Sequence, residues 1–297
     1  MAIARFMSRL SILMLLCFSG SALAQDGRLE SVRSEVRTPK AETPSSSPSS
    51  STGSNPSDHS DSFLEDDAEL NKLGAYAIFY VVTSPFTIPV ALVGDDYRLN
   101  AVFIAYPYAE KWDGLMQRGR GETIDGVNTP YSWDRLLSVR AAAEAGTDFS
   151  GVNRLGLSFL VDTMTRFGIG GSVQVFEEDK RALETDRLAI GDINALFRFA
   201  QSQRWQYRAG IGMRFMDDKN RTDLGINFVY GWEWFPKEPY TFSAQLEAGT
   251  LGNATVFRAT GRMGLVWKHA EAYVGYDYLR IGSTDLQGPM IGLRLWF

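Results

Sequence analysis

Ten runs of apolar residues at alternate positions occupy the C-terminal part of this chain, residues 131–297. Two clear examples are residues 155–161, with Leu155 and Leu157, and residues 224–234. Every second side chain of a β-strand lies on the same face, so each run predicts a strand with one apolar face. The alternation slips around Gly191, where we expect a β-bulge.

Many of the residues between these apolar positions are charged or glycine. A sandwich with one wet face needs no glycine on so many strands, whereas a narrow barrel is crowded inside and lets opposite charges pair across its lumen. We therefore predict an all-β fold, a closed antiparallel barrel of about ten strands. The charged residues that we expect to form a lumen network are Arg140, Glu144, Arg154, Asp192, Arg198, Arg208, Arg214, Glu233, Glu247, Arg258, Arg262, Asp277 and Arg294.

Tryptophans next to alternate turns indicate where such a barrel meets its solvent. Trp133, Trp205, Trp232, Trp234 and Trp267 would all lie near one end, as in the aromatic girdle of a transmembrane barrel at the lipid–water interface. We expect the turns at this end to face the periplasm and the other connections to face outward. The mean hydropathy of −0.16 does not oppose this prediction, because an inward polar face dilutes an outward apolar one.

The first 24 residues have the pattern of a secretory signal. Arg5 and Arg9 precede a short apolar run, residues 10–18, and Ala22-Leu23-Ala24 forms a small-residue cleavage site. Cys17, the single cysteine, lies inside that run, so the exported chain would contain no disulfide. Loss of the two arginines changes the net charge from −5 to −7, which excludes nucleic acid as an expected partner.

Composition divides the rest of the chain into three parts. Residues 25–67 are acidic and rich in Ser and Pro, so we expect a disordered linker in the periplasm. Residues 68–130 are expected to form a short helical or irregular collar or plug, because Pro85 and Pro89 oppose a regular strand. An alternative is a pair of extra strands, residues 76–82 and 87–93. Residues 131–297 form the barrel.

The chain ends in the sequence IGLRLWF, residues 291–297. This ending resembles the C-terminal signature of bacterial outer-membrane β-barrel proteins. The resemblance covers the barrel, identifies no subfamily, and implies that Leu293, Leu295 and Phe297 form an assembly signal read by the barrel-assembly machinery. It also implies outer-membrane lipid and lipopolysaccharide as partners.

Three functions are compatible with these features. The balanced lumen charges favour a non-enzymatic barrel with a structural or surface role. A small anion-preferring pore is the alternative, and a membrane-embedded hydrolase is less well supported, because His59 falls in the linker and His269 in a turn. We expect no cofactor and no metal. Acidic pairs such as Asp217-Asp218 are expected to be solvated loop charges, with cation binding as the rarer alternative.

Overall fold

The computed structural model describes residues 27–39, 76, 79–81, 83–95, 137–148, 151–163, 165–179, 185–202, 204–218 and 221–297. Ten strands within these residues close into one barrel, in which every strand pairs antiparallel with its sequence neighbours and β1 pairs with β10. The predicted all-β barrel of ten strands is thus confirmed. Its first described strand begins at Leu137, and Trp133 lies outside the described residues.

The strands are 11 to 17 residues long, and β4 is the longest. They are β1 (Leu137–Thr147), β2 (Val152–Thr163), β3 (Phe167–Asp179), β4 (Thr185–Gln201), β5 (Trp205–Asp217), β6 (Thr222–Trp234), β7 (Tyr240–Leu251), β8 (Ala254–Trp267), β9 (Ala270–Ile281) and β10 (Thr284–Trp296). We call the end at which β1 begins and β10 finishes the terminus end. The opposite end, which carries the β1–β2, β3–β4, β5–β6, β7–β8 and β9–β10 connections, is the loop end.

Burial alternates along the strands as their sequence pattern requires. The predicted outward residues Leu155 and Leu157 are 61% and 62% exposed, whereas the neighbouring Arg154 is buried in the lumen. The expected bulge at Gly191 is wrong, because Gly191 pairs in register with both neighbouring strands. The register shift lies instead between Phe197 and Ala200. The alternation slips near Gly191 for another reason: this stretch of β4 carries apolar residues on its inward face.

Helix α1 spans Arg28–Arg37, inside the segment that we expected to be disordered. Leu29, Val32 and Val36 lie on one side of the helix and are buried against the barrel. The prediction is therefore wrong for these ten residues. A helix of this length is marginal in isolation, so packing against the barrel must supply most of its stability.

Helix α2 comprises residues 83–93 and packs on the outside of the barrel. Tyr76 and residues 79–81 are also helical. The alternative of two extra strands over residues 76–82 and 87–93 is therefore wrong where the structure describes them. No helix among the described residues is both long enough and apolar enough to span a membrane.

Candidate functional site

The lumen contains a layer of ion pairs close to the terminus end. Arg140 on β1 pairs with Glu233 on β6, the strand diametrically opposite, at 2.5 Å between Nη1 and Oε1. Arg208 lies 3.1 Å from the same carboxylate and 3.5 Å from Asp162, which Arg198 also approaches at 3.8 Å. These side chains are at most 9% exposed. The layer therefore joins both sides of the barrel across its middle.

A second layer lies nearer the loop end and is centred on three carboxylates. Asp277 pairs with Arg154 and with Arg258, the latter at 2.8 Å, and Glu144 accepts a 3.1 Å hydrogen bond from Arg262. The third carboxylate, Glu247, pairs with Arg214. A buried charge without a partner is costly, and in this layer each arginine faces a carboxylate from another strand.

Between these charges the lumen retains a cavity of about 110 Å³, lined by both charged and apolar residues. Its lining includes Arg208, Arg258, Asp192 and Glu144, and the size is sufficient for several water molecules. Asp192 accepts hydrogen bonds from Ser172 and Asn194. Crowding explains the inward glycines: a Cβ at Gly156 would lie 2.9 Å from Cγ of Glu144.

The loop end of the lumen is closed by an apolar layer into which α1 inserts. Leu29, Val32 and Val36 have exposures of 0%, 0% and 1%. Their barrel partners are inward apolar residues from eight strands: Val152, Phe176, Leu188, Ile190, Met216, Leu251, Ala254, Val256, Leu279, Ile281 and Leu286. Helix α1 thus acts as a lid, and we call it the lid helix.

Both ends of the lid helix are capped by the barrel. The buried carboxylate of Glu178 accepts hydrogen bonds from the backbone N–H groups of Gly27, Arg28 and Leu29, which have no partner inside a helix. At the other end, the backbone N–H of Asn253 donates to the carbonyl oxygen of Val36 at 2.8 Å. These caps fix the position of the lid helix along its own axis.

Arginines of the lid helix bind acidic residues at the loop end of the barrel, in the strand ends and in the β5–β6 connection. Arg33 makes a two-bond contact with Asp186, at 2.7 Å for each bond, and a further contact with Asp218 at 3.0 Å. Arg37 pairs with Asp218 and Asp223 at 2.9 and 3.0 Å. Asp218 was expected to be a solvated loop charge, but its side chain is 2% exposed and binds these two arginines.

The hydrogen bonds that Asp186 accepts raise the pKa of the Arg33 guanidinium above its ordinary value. Two more contacts complete the ring: Arg28 pairs with Asp148 at 2.7 Å, and Ser283 donates a hydrogen bond to Glu35. Each of the five hairpins that meet at the loop end thus contacts the lid helix through at least one described residue.

The position of the lid helix differs from the one expected for the N-terminal segment. We placed residues 25–67 on the side of the short turns, which is the terminus end. Residues 28–37 lie at the loop end instead. The connections of that end were expected to face outward, away from the periplasm. The apolar inward layer is the physical reason, because it offers Leu29, Val32 and Val36 a burial site that the charged terminus end does not.

The described tryptophans of the predicted girdle and the three residues of the predicted assembly signal lie at the terminus end. Trp205, Trp232 and Trp234 form one cluster of rings with centroids 5.1 to 5.6 Å apart, and Trp267 is 63% exposed. Leu293, Leu295 and Phe297 point outward with exposures of 59%, 45% and 38%.

The sequence reasoning missed two lumen residues at this end. Glu271 accepts hydrogen bonds from Arg294 at 3.1 Å and from the indole N–H of Trp296 at 2.9 Å. Arg140 and Arg294 both lie over the ring of Trp296, at 4.7 and 5.5 Å from its centroid. Glu271 and Trp296 both occupy inward positions of their strands, so the alternation along the sequence already indicated that they face the lumen.

Potential catalytic and metal-binding groups are dispersed. His269 lies in the β8–β9 turn, where its carbonyl oxygen accepts a hydrogen bond from the backbone of Trp296. Within the described part of the chain, no three side chains of the His, Cys, Asp and Glu types come together as a metal site would require.

Comparison with known proteins yields likeness in structure alone. No protein-family model and no curated protein matches the sequence. Among solved structures, the N-terminal β-barrel domain of Pseudomonas aeruginosa OprF aligns with 54% of this chain and 97% of its own, at 10% identity and a TM-score of 0.28. The attachment invasion locus protein Ail of Yersinia pestis aligns with 54% and 96%, at 10% identity and a TM-score of 0.25. The KdgM porin aligns with 54% and 99%, at 14% identity and a TM-score of 0.24. These values support no transfer of residues or activities.

Proposed function

We propose that this chain is a non-enzymatic outer-membrane β-barrel protein with a closed lumen and a structural or surface role. The exterior supports the membrane location. Large apolar side chains such as Phe167, Met213 and Leu293 are 58% to 60% exposed on the barrel surface, and they are too numerous and contiguous for a surface in water. In a lipid bilayer, these side chains would be buried among hydrocarbon chains.

The lumen supports the closed state. The observation that carries the proposal is the pair between Arg140 and Glu233, which bridges opposite walls, below a lid helix whose apolar residues are fully buried. An open pore needs a continuous water path, and the ion-pair layers and the lid each interrupt one. Phe297 and the outward residues before it would serve in assembly, with lipid and lipopolysaccharide around the barrel.

A small anion-preferring pore is the second candidate, and the cavity is the observation that favours it. Arg208, Arg258 and Arg262 line it together with carboxylates, so a moderate rearrangement would give a water path with positive character. In that case Arg208→Ala and Arg258→Ala should change both the permeability and the ion preference.

Uptake of small charged solutes by liposomes tests the proposal. The protein is refolded into the lipid, and insertion is verified by the altered gel migration of the folded barrel before heating. We expect uptake no faster than in protein-free liposomes for the full chain. Rapid uptake that responds to the two arginine variants would support the pore. Recovery of the exported chain as a detergent-free soluble monomer would refute the membrane location.

A further inference from the structure

The wall of the lumen cavity carries more positive than negative charge. Five arginines line the cavity: Arg140, Arg208, Arg258, Arg262 and Arg294. Four carboxylates line it as well: Glu144, Asp192, Glu233 and Glu247. Among the described residues, the wall therefore has one positive charge in excess.

The rest of the lumen does not compensate for this excess. The other inward charges of the strands are three arginines and three carboxylates: Arg154, Arg198, Arg214, Asp162, Glu271 and Asp277. Two further buried acids, Glu178 and Asp223, lie at the loop end, where they bind the lid helix. Protonation of any carboxylate in the lining would only increase the excess. Because unbalanced charge is costly away from water, a negative charge inside the cavity would stabilise the folded barrel.

Two of the lining arginines have N–H groups that no described residue uses. Every hydrogen bond and ion pair of Arg208 leaves from its Nη2 atom. Arg262 likewise uses only Nη2, which donates to Glu144 at 3.1 Å. The buried Nε atoms of both arginines make no hydrogen bond with the described residues. A guanidinium has five N–H donors, so each of these two side chains can still donate to another acceptor.

The lining carboxylates, in contrast, are already engaged. Each one pairs with or accepts from a described donor: Glu144 with Arg262, Asp192 with Asn194, Glu233 with Arg140, and Glu247 with Arg214. A cation would compete with these arginines and would add to the positive excess. The wall is therefore suited to a negatively charged acceptor.

The size of the cavity and the size of the excess limit the ligand. One water molecule needs roughly 10–15 Å³ of such a cavity, which measures about 110 Å³, so a small ion with a few water molecules fits. A divalent anion would turn the excess of one positive charge into an excess of one negative charge. Both considerations favour a small monovalent anion.

We propose that the cavity binds one small monovalent anion, such as chloride, through the unused N–H groups of Arg208 and Arg262. Arg208 belongs to the ion-pair layer near the terminus end and Arg262 to the second layer, so the anion links the two layers and neutralises the lumen. All of these groups lie inside the barrel. The site therefore does not depend on the membrane location proposed above.

Urea unfolding of the refolded full chain in detergent micelles tests the site. Chloride is replaced stepwise by gluconate, a larger organic anion, at constant ionic strength. A ligand that binds only the folded state stabilises it by mass action, so the ratio of folded to unfolded chain should rise up to about tenfold for each tenfold increase in chloride. A ratio that is independent of chloride would overturn the proposal.

Variants of the two arginines locate the effect. Arg208→Gln and Arg262→Gln should each lose the dependence on chloride, whereas Arg187→Gln, at an arginine that is 65% exposed, should keep it. Arg208→Lys retains the charge and should keep the dependence, shifted to higher chloride concentrations, which covers the case that a glutamine variant does not fold. An undiminished response in the variants of Arg208 and Arg262 would contradict their role as ligands.

Bromide gives a direct view of the site in the unmodified protein, because it replaces chloride and scatters X-rays anomalously. In crystals grown with bromide, we expect an anomalous peak inside the cavity, within hydrogen-bond distance of Arg208 or Arg262. Peaks on the exterior alone would overturn the proposal. Rapid solute uptake by liposomes would refute the closed lumen without removing this saturable site, so the two proposals fail separately.

Discussion

A buried charge placed in the apolar layer should release the lid helix. Val32 is fully buried between the lid helix and the barrel, so Val32→Asp forfeits about 2 kcal/mol of apolar burial and adds a desolvation cost of several kcal/mol. A helix that undocks returns the charge to water, so the full desolvation cost does not apply. We therefore expect the docking of the lid helix to become less favourable by at least about 3 kcal/mol. This corresponds to a roughly 100-fold shift of the docking equilibrium.

Hydrogen exchange of the peptide that covers residues 28–37 measures this shift. In the refolded protein, amides of the lid helix should exchange roughly 100-fold faster in Val32→Asp, while the strand amides keep their protection. The matched control is Ser34→Asp, an exposed position of the same helix, which should exchange like the unmodified chain. Equal protection in Val32→Asp, or an equal loss in Ser34→Asp, would refute the buried lid.

Three further predictions concern the ion pairs and the C-terminus. Arg33→Ala leaves the carboxylates of Asp186 and Asp218 short of a partner, so it should weaken the docking of the lid helix by about 2–3 kcal/mol in the same exchange experiment. Arg33→Lys should have an intermediate effect, because lysine cannot form the two-bond contact. An Arg33→Lys variant as stable as the unmodified chain would contradict this geometry. Glu233→Gln removes the charge shared by Arg140 and Arg208 and should lower the free energy of unfolding by about 3 kcal/mol. Urea titrations followed by tryptophan fluorescence measure this change. An unchanged free energy of unfolding would mean that these ion pairs are solvated. Phe297→Ser should reduce the fraction of chain that reaches the membrane as folded barrel, measured by gel migration before and after heating, and an undiminished fraction would remove the assembly role.

The alternation of apolar residues was sufficient to predict the barrel and the direction of its side chains. Period two is a local property, and it persists along the strands, with the slip near Gly191 in β4 as an exception, because a shift by one residue would move the charged side chains to the outer face and the apolar ones into the lumen. The same rule extends to Glu271 and Trp296, which a stricter use of the alternation would have included.

The lid helix was harder to predict. Leu29, Val32 and Val36 follow helical spacing, but they lie among charged residues in a short segment before a Ser/Pro-rich stretch. The helix becomes stable through an apolar layer built from eight strands that are far away in sequence. The partners of Arg33 and Arg37 could not be read from the sequence either, since they depend on which connections meet at the loop end.

The central claim is a membrane barrel whose lumen is closed by ion pairs and by the lid helix. Single-channel recording in planar bilayers tests this claim most directly. The account predicts that the folded full chain inserts without producing a steady conductance. A steady, ion-selective conductance from the full chain would contradict the closed lumen.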